Sequence, residues 1–160
     1  MKKPAALLLI PALLAFGACQ GDTTPAPVAA TTAQASQQTA TANVNGKTYI
    51  LSATPTRSLQ PGVARQYDIE RRDDTTMILV SVTDTNGDAT ALDAAKITVS
   101  AGVVPDAPTE ISLKPIQVEG FTNLVGVITA KPPAKLQLRM EIQSGGSRTT
   151  QSFTQDVLPR

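Results

Sequence analysis

Over residues 134–143 polar and apolar side chains alternate without a break. Leu136, Leu138, Met140 and Ile142 fall on one side, and Gln137, Arg139, Glu141 and Gln143 on the other. Successive side chains leave a strand on opposite faces, so this period predicts a strand with one buried and one wet face. Residues 96–102 repeat it, with Ile97, Val99 and Ala101 set against Lys96, Thr98 and Ser100. Further β-like runs lie at 46–53, 76–84, 110–118, 121–129 and 147–157. The run at 76–84 is apolar on both sides at its start, as a central strand would be. Pro115 interrupts the run at 110–118 and predicts an edge strand or a strand end there.

The punctuation fits the runs. Asn86-Gly87, Pro132-Pro133 and Gly145-Gly146 fall between them. Gly145-Gly146, between Ile142 and Thr149, is a hairpin signal. One segment breaks the pattern. Residues 58–67, SLQPGVARQY, predict a short helical turn near 61–67, with Pro61 in the first turn, where its missing N–H costs nothing. Val63, Ala64 and Tyr67 would then cover one end of the core. Seven short strands at this spacing predict an all-β fold: a single antiparallel β-sandwich of immunoglobulin-like type, with a closed barrel as the alternative.

The first 43 residues have a different character. Lys2 and Lys3 precede an apolar run over 5–16, which ends in the small residues Gly17 and Ala18. This is the layout of a secretory signal peptide, and the run is too short to span a bilayer as a helix. Residues 1–18 are therefore read as a signal. Residues 19–43 follow as a low-complexity linker with Val28 as its large apolar residue and Asp22 as its charge. Such a stretch cannot bury enough surface to offset its chain entropy and is expected to be disordered. From Gln20 to Asn43 its 24 residues reach about 80 Å when fully extended. Residues 44–160 remain as one β-sandwich domain.

Composition removes several chemistries. The chain has no histidine, which takes away the commonest general base and zinc ligand. Its one cysteine is Cys19, ahead of the folded part, so the domain holds neither a disulfide nor a thiol nucleophile. A net charge of +1 offers no electrostatic footprint for nucleic acid. Tryptophan is absent and aromatic residues are scarce, so stacking platforms for glycans or single strands are lacking. No cofactor is expected, and no catalytic residues stand out.

Four places could still carry a function. Asp84, Asn86 and Asp88, with Asp93 beyond, hint at a calcium loop. The glycine comes one place early for the helix–loop–helix pattern and the closing glutamate is missing, so an Asn-Gly turn is the simpler reading. Glu70, Arg71, Arg72, Asp73 and Asp74 form a dense charge cluster, either a docking patch or a solvated turn with local ion pairs. Asp73 and Asp74 as an acid–base pair are undermined by adjacency, since neighbours on a strand face apart. Arg65 and Tyr67 are residue types enriched at interface hot spots, although Leu59, Val63 and Tyr67 could as simply cap the sandwich.

Two resemblances add to this. Leu14-Ala15-Phe16-Gly17-Ala18-Cys19 resembles the lipobox of bacterial lipoproteins, with Phe16 where leucine is usual. The resemblance implies a diacylglyceryl group on Cys19, cleavage before it, and acylation of the new amino group. Two or three chains give stable membrane anchoring. Gln20, in place of the aspartate that retains lipoproteins in the inner membrane, implies an outer-membrane protein facing the periplasm. From residue 46 to 159 the chain resembles a proteobacterial family of small secreted domains with no assigned function. The resemblance rests on the segment 58–69, SLQPGVARQYDI, with Arg71 after it, and on the strand 77–82, MILVSV. It implies an envelope location and a β-sandwich, and no activity. Family members carry a cleavable signal but not always a lipid cysteine, so Cys19 departs from that pattern. The expected role is a non-enzymatic module that meets another envelope protein; a small-ligand or metal-binding protein is the alternative.

Overall fold

The computed structural model describes residues 39–88, 90–92 and 95–159. The signal, most of the linker, Cys19 and Asp93 lie outside the described residues.

Among the described residues nine strands form two antiparallel sheets. They are β1 (Thr39–Val44), β2 (Lys47–Pro55), β3 (Thr75–Asp84), β4 (Lys96–Val103), β5 (Thr109–Glu110), β6 (Lys114–Val118), β7 (Phe121–Thr129), β8 (Ala134–Ser144) and β9 (Ser147–Val157). The first sheet has the order β1-β2-β3-β7-β6 and the second β5-β4-β8-β9. In the immunoglobulin scheme, β2, β3, β7 and β6 take the A, B, E and D places, and β4, β8 and β9 take C, F and G. The immunoglobulin-like sandwich holds, with β5 added beyond β4 and β1 beyond β2.

The alternations seen in the sequence face inward as expected. Leu136, Leu138, Met140 and Ile142 of β8 are buried, as are Val99 and Ala101 of β4. Opposite them lie Tyr49, Leu51 and Ala53 of β2 and Ile78, Val80 and Val82 of β3. Pro115 sits on β6, an edge strand, where a missing N–H is tolerated.

Three expectations need correction. The sheet begins at Thr39, so the end of the stretch read as linker is β1. Ala40, Ala42 and Val44 alternate into the core, but small side chains among Thr and Asn leave too weak a pattern to separate from low complexity. The run at 110–118 is two strands in different sheets, β5 on β4 and β6 on β7. Residues 111–113 cross between the sheets, with the Ile111 N–H held by Val99 O at 2.9 Å. The crossing backbone lies against Gly126: a Cβ there would stand 2.9 Å from Ser112 O and 3.0 Å from Leu113 Cδ2. This close approach is why the position is a glycine.

The connection from β2 to β3 also departs from expectation. It holds a 3₁₀ turn, Thr56–Ser58, and the short helix α1, Pro61–Gln66. The helix falls where Pro61 placed it, but it does not cap an end of the core. It lies on the outer face of the five-stranded sheet and builds a second cluster there. Leu59, Ala64, Met77 and Val125 are buried, with Val63, Tyr67, Ile69, Leu79 and Ile116 packed around them. The cause is in β3, which carries apolar side chains on both faces. Ile78 and Val80 serve the main core, while Met77 and Leu79 need a cover of their own.

Candidate functional site

The segment from Thr56 to Asp74 is fastened at its ends. Thr56 is fully buried where β2 ends. Its Oγ1 accepts the Arg72 N–H at 2.9 Å and lies 3.1 Å from Arg72 O, to which it donates. Thr75 Oγ1 stands 2.7 Å from Thr56 Oγ1, so the two hydroxyls share a further hydrogen bond. A hydroxyl one place past a strand thus closes the 19-residue excursion, residues 56–74, near its own far end.

The exposed arginines are held by this frame. Arg71 Nη2 donates to Arg57 O at 2.9 Å. Arg72 grips Asp74 with two bonds, Nε to Oδ1 at 2.9 Å and Nη2 to Oδ2 at 3.0 Å. Arg57 Nε lies 3.5 Å from Asp73 Oδ1. The hydrogen bonds from Arg72 hold the Asp74 carboxyl below its ordinary range, and Asp74 in turn raises Arg72. The geometry brings Arg71 and Arg72 together, as the sequence suggested, and adds Arg57 from the far side of the excursion. No local pattern marks Arg57, because only the fold carries it across.

A cleft of about 290 Å³ opens at this end of the sandwich. Its walls include Pro55, Arg57, Asp73, Lys131, Pro132 and Leu158. Leu158 is 58% exposed, an unusual place for a leucine beside a ring of charges.

Arg65 and Tyr67 part company. Arg65 is exposed on α1. Tyr67 is half-buried and takes the packing role that was the alternative to an open anchor. Its ring belongs to the second cluster, and its hydroxyl accepts from Asn123 Nδ2 at 3.3 Å. Burial, and then the charge of Glu119, raise its pKa. Asn123, on the outer face of β7, escaped the sequence reading because one amide among apolar neighbours has no periodic signature.

The Asp84 loop is a turn closed by its own carboxylate. Asp84 Oδ1 accepts the Asn86 N–H at 2.8 Å and the Asp88 N–H at 2.9 Å. The Asp84 N–H donates to Asp88 O at 3.0 Å. Of the two carboxylate oxygens, Oδ1 is engaged by these two amides, as in an Asx turn. Among the described residues no three acidic side chains converge on a metal position.

A family model described as a domain of unknown function, DUF4426, matches residues 42–159. The chain belongs to the DUF4426 family. Its fold is shared by a crystal structure of a DUF4426 family protein from Pseudomonas aeruginosa PAO1. That match has a TM-score of 0.58 at 16% identity and covers 76% of this chain and 96% of the other. At that identity the likeness shows the fold alone. No curated protein matches the chain.

The family description names no catalytic activity. What this DUF4426 domain offers at this end is a cleft lined by Arg57, prolines and Leu158, with the braced Arg71 and Arg72 nearby on the same connection. Asp73 and Asp74 are engaged by arginines, so neither is placed as a free base.

Proposed function

We propose that this DUF4426 protein is a non-enzymatic envelope module, held to the outer membrane by lipid on Cys19, that docks another envelope protein through the end of the sandwich bearing Arg57, Arg71 and Arg72. The observation that carries the reading is the bracing of those arginines. Arg71 and Arg72 are exposed, yet each donates to a fixed partner on the β2–β3 connection. A guanidinium already held in place loses less entropy on meeting a partner than a free one. The neighbouring cleft supplies an exposed apolar side chain, Leu158, ringed by charge, which is the make-up of an interface centre and rim.

The placement of the described chain agrees with a tether. Thr39, the first residue of β1, pairs with Ser52 near the end of β2, so the chain enters at the arginine-bearing end. Nineteen residues, Gln20 to Gln38, separate Cys19 from it and would span about 65 Å fully extended. A lipid on Cys19 would then keep the domain within reach of the membrane and its proteins.

In-cell crosslinking and pull-down of the full chain beside its Cys19→Ala variant tests the reading. A reproducible envelope partner captured only with Cys19 intact is the expected result. No partner in either form would move the reading to small-ligand binding.

A further inference from the structure

At the end of the sandwich opposite the arginine frame, the outer face of the four-stranded sheet carries a second cleft, of about 390 Å³. It is lined by Lys96, Gln143, Ser144, Ser147, Arg148 and the Gly145-Gly146 turn. The register explains the grouping. Lys96 lies directly across from Gln143, and Gln143 directly across from Arg148. The three form one cross-strand row on the wet face, with the two cations on outer strands about 10 Å apart at their Cα atoms. Long side chains at that separation can close on one small group above Gln143.

The charges in the row are unequal in number. Arg148 Nη2 donates to Glu141 Oε2 at 2.5 Å, and Gln143 Nε2 donates to Glu141 Oε1 at 2.7 Å. Those bonds hold the Glu141 carboxyl below its ordinary range. One carboxylate is thereby spent on one cation. Lys96 is exposed and has no ion pair among the described residues. Arg148 has used one of its five donors on Glu141. The cleft therefore holds an uncompensated positive charge and unspent guanidinium donors around a space wide enough for a small anion.

We infer that this cleft binds a tetrahedral oxyanion, a phosphate group between Lys96 and Arg148, with the Gly145-Gly146 turn beside it. The inference is independent of the docking reading, since it concerns the opposite end of the strands. The phosphate can be free in solution or borne by a lipid headgroup, and the chemistry at the cleft is the same.

Titration of the full chain with inorganic phosphate, followed by amide NMR shifts, is the test. Saturable shifts confined to Gly145, Gly146, Ser147 and Arg148 are expected, weakened about fivefold in Lys96→Gln, as for one exposed charge contact. Lys131→Gln, at the other end, leaves them unchanged. Arg148→Lys separates charge from the forked geometry and keeps Glu141 a partner. A second arm compares vesicles of phosphatidylglycerol with vesicles of phosphatidylcholine. A preference for the former that Lys96→Gln removes makes the source a lipid; saturation by inorganic phosphate without that preference makes it a free phosphate. Absence of saturable shifts with phosphate together with no vesicle preference overturns the proposal, as does binding that Lys96→Gln leaves intact.

Discussion

The Thr56 hydroxyl and the Arg72 backbone hold each other in both directions, N–H to Oγ1 at 2.9 Å and Oγ1 to the carbonyl at 3.1 Å. This one side chain joins the end of β2 to the start of β3, and the second cluster and the exposed arginines both depend on it. Thr56→Val keeps the shape and removes the hydroxyl, leaving two backbone groups unpaired. The expected cost is about 1–3 kcal/mol in urea denaturation. A change within error would mean that the connection is held by its apolar cluster alone.

Tyr67 makes the second cluster sensitive to alkali. Its folded pKa is raised above the ordinary 10.0, first by burial and then by Glu119. A raised folded pKa leaves stability intact below the unfolded value and removes it as pH rises through the folded one. Stability is therefore expected to hold to about pH 9 and to fall above about pH 10. Tyr67→Phe should flatten that part of the fall while forgoing the hydrogen bond from Asn123. Urea midpoints for both proteins across this range check it, and parallel curves would contradict it.

Two glycines make opposite predictions. At Gly126 an added Cβ meets Ser112 O and Leu113 at 3.0 Å or less, so Gly126→Ala should cost about 1–3 kcal/mol. At Gly62, on α1, an added Cβ meets nothing within 4 Å. Gly62→Ala should therefore stabilise by about 0.4–1 kcal/mol through the unfolded chain. Thermal denaturation of the pair reads both signs, and a tolerated Gly126→Ala would mean that residues 111–113 give way easily.

The Asp84 turn predicts indifference to calcium. With Oδ1 committed to the Asn86 and Asp88 amides, millimolar calcium should leave the melting temperature unchanged, while Asp84→Ala should loosen the loop. A calcium-dependent rise that Asp84→Ala removes would show that the carboxylate is free to change partners.

What the sequence displayed and what it hid follow from the same physics. Strict alternation in β4 and β8 was legible because each has one dry and one wet face. Pro61 marked α1, and Pro115 marked an edge. Alanines in β1 bury so little area that their alternation is indistinct. The break between β5 and β6 arises because residues 111–113 change sheets against Gly126, a contact far away in sequence. Met77 and Leu79 announced a second covered face, yet nothing local said that residues 59–69 would cover it. Arg71 and Arg72 were visible as a charge cluster; Arg57 joined them only through the fold. Between the two readings of Tyr67, anchor or packing residue, residue type could not choose, because it says nothing of direction.

The central claim is that the end of the sandwich bearing Arg57, Arg71 and Arg72 meets a partner. A photo-crosslinking residue placed in living cells at Arg71 or Leu158, and for comparison at Gln117 on the β6 edge, tests it most directly. The account predicts a discrete adduct of one envelope protein from positions 71 and 158 and none from 117. Adducts from 117 alone, or from none of the three, would contradict it.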